Sequence, residues 1–579
     1  MGGFFLVCSG PNEDRSDEVS RLQQAFAELG FAPPEMVKEE GYVFAAYPKL
    51  QARSVDLKRY PNGDFAFVCG TCLCEGGLAD VAALYDGLSD CSPMGEEIMG
   101  QYAAVIKKNG RTEIKLDRFG GYHLFYNADA RIVCSSFFAI CSVLQSLTLS
   151  QQNAYEYVFN GVVSGNETLF NEVKIAPIQS TIVIRPSALE IVRPALPVTR
   201  TFASPRRDAA LRESVALLDR YFSAVAGSFG DRVRSALSGG YDSRLILAFL
   251  RRHGIRPILY VYGRALERDV RLASEIARRE DILLEAIDKD DRPIIPPEEF
   301  LETAHRNFLA TDGYGYAGIF HNGAETAELA RRVRGDTIAI HGGGGEIFRN
   351  FFYLPDREYT IKELLWSFYS QFDPANCTPV FNSQSYYTGL ESKVLDVLGS
   401  DGATLPRPTV EWLYHSFRCR AWNGKVDSLA SRYGFIAMPY LERPITEHAS
   451  ALPLRWKNYG AYQAELIRRV DNQLAEYPSG YGHNFSTPPP LSRRLSDYPT
   501  HLRPPWLRRY THRLKHLRRA NEWSVYLTPP YRDAVLPGGI AIMRRLFRLD
   551  RVVDQAQYER ILSLEYALRQ FSTRVKVDF

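Results

Sequence analysis

Residues 231–250 read Asp-Arg-Val-Arg-Ser-Ala-Leu-Ser-Gly-Gly-Tyr-Asp-Ser-Arg-Leu-Ile-Leu-Ala-Phe-Leu: a short strand, a Ser-Gly-Gly turn and the start of an apolar helix. A chain that alternates such units builds a parallel sheet with covering helices. The glycines of the turn let backbone N–H groups approach phosphate oxygens, and the helix start adds the positive end of its dipole. Asp242 supplies a carboxylate for Mg²⁺. Ser238, Gly239, Gly240, Asp242 and Ser243 therefore form a candidate pyrophosphate site, suited to cleavage of ATP to AMP and pyrophosphate. The same residue types also make ordinary strand–turn–helix connections, because Ser and Gly populate every turn.

At 579 residues the chain is too long for one core, so two domains are the default. A net charge of +3 selects no partner class, and nucleic acid and membrane are not expected. No stretch approaches the roughly 20 apolar residues of a membrane span, and 4–7 is too short for a secretion signal, so a cytoplasmic protein is expected. Nine cysteines show no framework spacing. Cys69, Cys72 and Cys74 alternate with other residues in a strand-like run, and no second Cys or His pair lies nearby, so reduced thiols are expected and not zinc.

Up to about residue 198, short β-rich segments at 65–68, 102–106, 112–116, 132–134 and 181–184 are separated by turn formers, which predicts an antiparallel sheet domain. Helical patches at 19–29 and 78–84 give it α+β character. A polar, Pro-containing junction at 200–212 sets the boundary between domains 1–205 and 206–579. Beyond it, strand–turn–helix units recur: 235–237 into 242–253, 258–262 into 267–279, and 337–341 into the Gly342–Gly345 run. In a parallel sheet, ligands bind beyond the carboxyl ends of the strands, where both glycine-rich turns would lie. From 358 onward the pattern is mostly helical. Residues 503–519 combine an aromatic-aliphatic stripe with many arginines, which reads either as a solvated face of a packed helix or as a grip on an anionic partner.

In order along the chain, several segments are similar to the asparagine synthetase superfamily. Ser238-Gly239-Gly240-Tyr241-Asp242-Ser243 resembles its pyrophosphate loop, S-G-G-x-D-S. Arg420, the run 428–434, Met438-Pro439-Tyr440-Leu441 and Leu452-Pro453 with Lys457 and Gly460 resemble its downstream segments. Asp117-Arg118-Phe119-Gly120, Leu124-Phe125-Tyr126, Thr168-Leu169-Phe170 and Ala176-Pro177 resemble N-terminal elements of the family. The resemblance implies a glutaminase-like (Ntn-type) antiparallel sandwich followed by an α/β ATP-pyrophosphatase domain with a parallel sheet and a helical C-terminal part. It also implies ATP and Mg²⁺, an adenosine cradle at Leu237, 260–262 with Tyr262 and 340–342 with Gly342, and Gly343 among the ATP- or pyrophosphate-binding residues.

Three departures shape the expected chemistry. The glutaminase cysteine of the family falls on Gly2, which has no nucleophile, and its glutamine-holding segment falls on residues 69–74. Glutamine is therefore not the expected nitrogen source. The G-x-G-x-D-E-L-F turn falls on residues 343–348, where the metal-binding Asp is either replaced by Gly345 or deleted. Glu346 either reaches Mg²⁺ or caps the next helix. The phosphate-contacting lysine is missing, and Lys457, Lys425, Arg244 and Arg349 are candidate substitutes. Tyr314, Tyr316, His341 and Glu346 remain open as general base.

The expected activity is an ATP-dependent carbon–nitrogen ligase that adenylates a carboxylate and couples it to an amine. Asp242 and Glu346 are the expected catalytic and metal residues. Members without the glutaminase cysteine resemble β-lactam synthetases and lasso-peptide cyclases, which implies ring closure on a small-molecule or peptide substrate carrying both groups, with biosynthetic partner proteins. Amidation of aspartate or a sugar uronate with ammonia, a tRNA-thiolating enzyme, and a non-catalytic ATP-binding or scaffold protein are the alternatives.

Overall fold

The structure is a computed structural model that describes every residue except 1, 53, 88–94, 96, 194–205, 401, 403, 512–522 and 578–579. The expected junction at 205/206, Cys91 and the 512–519 part of the basic run 503–519 touch or lie within those exceptions. Two antiparallel sheets form first. One has the order Val173–Ile175, Phe125–Asn127, Ile132–Cys134, Gly3–Cys8, Tyr42–Tyr47, Glu35–Glu39. The other runs Ala188–Val192, Thr181–Arg185, Arg111–Leu116, Met99–Lys108, Phe65–Cys74, Lys58–Arg59, with Gly77–Leu78 also pairing to Phe65–Cys74.

Alternation along Gly3–Cys8 explains how the sheets meet. Phe4, Leu6 and Cys8 point into one core with Phe44, Phe65, Phe67 and Val105, whereas Phe5 and Val7 join Phe26 and Phe137 on the opposite face. The first core is the interior of a sandwich, and helices Ser16–Glu28 and Phe137–Val143 cover one outer side. The patch expected as a helix at 78–84 begins instead with the short strand Gly77–Leu78, and the helix runs Val81–Asp86 from an Asp80 cap.

The later half carries a wholly parallel sheet in the order Leu284–Ile287, Ile258–Tyr262, Val233–Ala236, Ile338–Ile340, Phe435–Ala437. The chain lays down strands to one side of Val233–Ala236 and then crosses to the other. The carboxyl ends of Val233–Ala236 and Ile338–Ile340 are therefore a topological switch point, the place where such sheets open a crevice. Residues from 361 to 570 are mostly helical. The fold is thus mixed α/β, with antiparallel sheets, a parallel sheet and a helical C-terminal part. Among the described residues no helix is long and apolar enough to cross a membrane.

The two halves are stitched directly. The amide of Ile436, on the edge strand of the parallel sheet, donates to Thr71 Oγ1 at 3.0 Å, and Met438 N donates to Gln101 Oε1 at 3.1 Å. Arg420 donates to the carbonyls of Gly120, Gly165 and Ala176 and to Asn166 Oδ1.

Candidate functional site

The turn after Val233–Ala236 opens into a cleft of about 550 Å³ whose walls include Ser238, Gly239, Gly240, Asp242, Asp269, Glu346, Arg349 and Tyr481. Helix Tyr241–Arg252 starts here from Gly240 with no side-chain cap, so its first-turn amides face the cleft without a competing acceptor from the cap residue. Asp242 sits in that first turn. Its Oδ2 accepts from Arg349 at 2.7 Å and its Oδ1 from Gln463 Nε2 at 2.8 Å. Burial lifts the Asp242 carboxyl above the usual carboxylate range; Arg349 opposes this and Glu346 adds to it.

Arg349 follows the short 3-10 turn Gly345–Phe348 and is the hub of the cleft. Besides Asp242 it reaches Glu346 Oε1 at 3.8 Å and donates to the Tyr481 hydroxyl at 3.0 Å. Glu346 lies within the 3-10 turn and lines the cleft, so its carboxylate is directed at Arg349 rather than spent on capping a helix. Gly345 leaves the room that this arrangement needs. A Cβ there would stand 3.0 Å from Asp242 Cβ and closer still to Oδ1.

The expected backbone cradle needs correction. The Ser238 amide donates to Ser243 Oγ at 3.0 Å, the Gly239 amide to Asp269 Oδ1 at 3.0 Å and the Gly240 amide to Ser238 Oγ at 3.2 Å. All three are occupied within the protein. The segment 478–484 adds a lid over the turn, with Gly480 N donating to the Gly239 carbonyl at 2.8 Å and Tyr481 packed 4.7 Å from Tyr241. An anion here is met by the helix start and by Arg349, not by the amides of 238–240.

The other expected positions separate. Leu237 is buried, its amide bonded to the Tyr260 carbonyl. Tyr262 ends its strand under Lys289, whose Nζ lies 3.9 Å from the ring centroid. Gly343 donates to His341 Nδ1 at 3.0 Å, and burial pushes that imidazole down to about 4. Leu237, Tyr262, Gly342, Gly343 and Ser243 are absent from the walls of the cleft, although Gly342 backs directly onto Asp242.

Of the candidate lysine substitutes, only Arg349 reaches the cleft. Lys457 is fully buried against Glu411 at 3.0 Å. Lys425 donates to the Tyr314 carbonyl, with burial holding its amine well below the ordinary range. Arg244 is buried and donates to the carbonyls of Tyr477 and Pro478. Tyr314 packs on Phe137 and Tyr316 on Trp422, both away from the cleft walls.

Gly2 is not only without a thiol but without room for a side chain, since a Cβ would stand 2.7 Å from Lys49 Cα. Residues 69–74 form the C-terminal part of strand Phe65–Cys74, with Cys69 Sγ 2.7 Å from the Tyr122 hydroxyl and Thr71 spent on Ile436.

Sequence reasoning did not single out Gln463, Asp269 or helix Leu491–Leu502. The helix lines the cleft through Arg493, Asp497 and His501, while Leu491, Leu495, Tyr498 and Leu502 face solvent. The four-residue spacing of the polar set was visible, but amphipathic spacing alone does not say which face turns inward. Of the basic run 503–519, the described part holds only the short helix Pro505–Arg508, whose Arg508 is spent on the carbonyls of Phe352 and Tyr353; residues 512–519 lie outside the described residues.

No protein-family model matches the chain, and no curated protein matches it. Among solved structures it is similar to one described as the allosteric regulatory enzyme of purine biosynthesis, at 13% identity over 54% of this chain and 78% of that one, with a TM-score of 0.22. It is also similar to glutamine phosphoribosylpyrophosphate amidotransferase from B. subtilis complexed with ADP and GMP, at 11% identity over 60% of this chain and 77% of that one, with a TM-score of 0.22. Neither likeness is close enough to carry a conclusion about activity.

Proposed function

We propose that the protein is an ATP-dependent carbon–nitrogen ligase that adenylates a substrate carboxylate, releases pyrophosphate and couples the acyl group to an amine. The observation that carries this reading is the convergence of Asp242, Glu346 and Arg349 on an uncapped helix start at the switch point of a parallel sheet. The residues fit a magnesium ion: of the carboxylates that line the cleft, Asp242 and Glu346 both neighbour Arg349, and Mg²⁺ asks for one or two plus phosphate oxygens and water. Asp242 and Glu346 would hold the ion, which would supply charge neutralisation at the phosphates. Arg349 adds a fixed positive charge beside the same carboxylates and would stabilise negative charge developing on the leaving pyrophosphate.

In this reading residues 1–205 are a degenerate glutaminase-like, Ntn-type domain and residues 206–579 an ATP-pyrophosphatase domain. The blocked position of Gly2 supports a nitrogen source other than glutamine. Ring closure within a small-molecule or peptide substrate in the cytoplasm is the favoured subclass, because a tethered amine avoids much of the orientational cost of a free one. Amidation of aspartate or a sugar uronate is the nearer alternative. The internally satisfied amides of 238–240 favour a second reading, a non-catalytic nucleotide-binding or scaffold protein.

Exchange of labelled pyrophosphate into ATP in the presence of aspartate, a sugar uronate and candidate amino acids tests the proposal. Carboxylate-dependent exchange that is lost in Asp242→Asn is the expected result. ATP binding without exchange for any carboxylate sinks the ligase reading in favour of the scaffold.

A further inference from the structure

Helix Leu491–Leu502 turns its polar side inward. Arg493, Asp497 and His501, spaced four residues apart, line the cleft that holds Asp242, while Leu491, Leu495 and Leu502 are 73%, 69% and 63% exposed. These leucines stay in water, so the inward orientation of the polar side is maintained against the ordinary preference of an amphipathic helix. The polar side meets a wall of tyrosines. The His501 ring lies 5.0 Å from Tyr353 and 5.6 Å from Tyr459, and Arg493 lies 5.3 Å from the Tyr481 ring while holding Asp497 Oδ2 at 3.3 Å. His501 Nε2 is buried and has no hydrogen-bond partner among the described residues.

Resting on the ligase reading above, we propose that this side of the helix is the nucleophile subsite, that its substrate is a primary amine, and that His501 is the general base. Acid and aromatic faces together recognise positive charge on nitrogen, through ion pairing and the ring quadrupole. The amine enters as its free base, its ammonium form having given one proton to water. Its nitrogen attacks the acyl carbon, becomes cationic, and is stabilised by Asp497 and the faces of Tyr353 and Tyr459. His501 Nε2 takes the second proton as the C–N bond forms, and the C–O bond to AMP breaks with the electron pair leaving on the phosphate. Burial, reinforced by Arg508 and opposed by Asp497, holds the imidazole below its ordinary range, which keeps it neutral and able to accept that proton near pH 7.

Two measurements test the subsite, and the first does not depend on adenylation. Imidazole resonances of the full-length protein are followed by NMR while methylammonium chloride is titrated against potassium chloride at equal ionic strength, with His501→Gln identifying the signal. A saturable shift of the His501 resonance, weakened at least tenfold in Asp497→Asn, is expected; equal response to both salts overturns the proposal. The second compares His501→Gln with wild type for a carboxylate that supports pyrophosphate exchange. Amide formation with methylamine should fall about 10²–10⁴-fold, pyrophosphate exchange far less, and coupling to hydroxylamine, a weaker base that loses its proton more readily, should be partly retained. Equal loss in all three assays, or no loss of amide formation, overturns the role of His501. Absence of exchange in wild type with a normal methylammonium shift instead removes the ligase reading and leaves the amine site standing.

Discussion

The guanidinium of Arg349 holds the carboxylate of Asp242 at 2.7 Å across the mouth of the Ser238-Gly239-Gly240 turn, although 107 positions separate them. A cation is thus built into the position that Mg²⁺ would share, and the same side chain is the only candidate for the missing phosphate lysine that reaches the cleft. Arg349→Ala removes that charge and leaves Asp242 with Gln463 as its remaining partner. The expected outcome is a loss of about 10²–10³-fold in pyrophosphate exchange, with Arg349→Lys intermediate because an ammonium cannot make the same fork of hydrogen bonds to Asp242 and Tyr481. Exchange kinetics at saturating ATP check both.

Gly345 tests how tightly that pair is seated. Gly345→Ala introduces a Cβ 3.0 Å from Asp242 Cβ and nearer to its Oδ1, so the carboxylate must move away from Gln463 or Arg349. Overpacking of this kind costs about 1–3 kcal/mol. We expect a lower melting temperature and weaker Mg-ATP binding by calorimetry, with binding restored in part by Gln463→Ala, which gives the carboxylate somewhere to go.

Much of the fold was legible from local pattern. The strand at 258–262 and the strand at 132–134 fall where alternation and flanking turns set them, and Asp242 opens its helix as the Ser-Gly-Gly turn requires. Nothing local marks Leu284–Ile287, whose half-exposed residues lack a clear alternation, or Phe435–Ala437, a short edge strand capped by Thr71. Of the cleft walls, Ser238, Gly239, Gly240, Asp242 and Glu346 were legible as residues, but their geometry was not. Ser243 and Ser238 occupy two amides of the turn locally, whereas the acceptor for the Gly239 amide, Asp269, lies 30 residues on, and Gly480 closes on the Gly239 carbonyl from farther still along the chain. Helix Leu491–Leu502 escaped notice for a different reason: its spacing is that of an ordinary surface helix, and only the tertiary position shows the polar side facing in.

Placing a cysteine at position 2 will not confer glutamine hydrolysis. In Gly2→Cys the new Cβ meets backbone, 2.7 Å from Lys49 Cα and 2.8 Å from the Pro48 carbonyl carbon, and backbone cannot swing aside as a side chain can. A destabilisation of about 1–3 kcal/mol is expected. Chemical denaturation measures it, and a glutamate-release assay on glutamine should stay at the level of the buffer.

Glu442 makes stability fall as pH rises. It is buried at the seam between the halves, where its Oε1 accepts from the Gly100 amide at 2.8 Å and from Gln101 at 3.2 Å. Burial, with Asp117 adding and the Gly100 amide opposing, pushes its carboxyl up to about 8 from an ordinary 4.5. The folded state therefore keeps the proton while the unfolded chain loses it. The stabilisation is fully present below pH 4.5 and is lost as pH climbs to about 8, at roughly 1.4 kcal/mol per unit. Glu442→Gln keeps the acceptor and cannot ionise, so its unfolding free energy should match wild type below pH 4.5 and exceed it by several kcal/mol at pH 8. Denaturant titrations of both proteins across that window check the sign, and parallel curves would show that the carboxyl is already ionised in the folded protein.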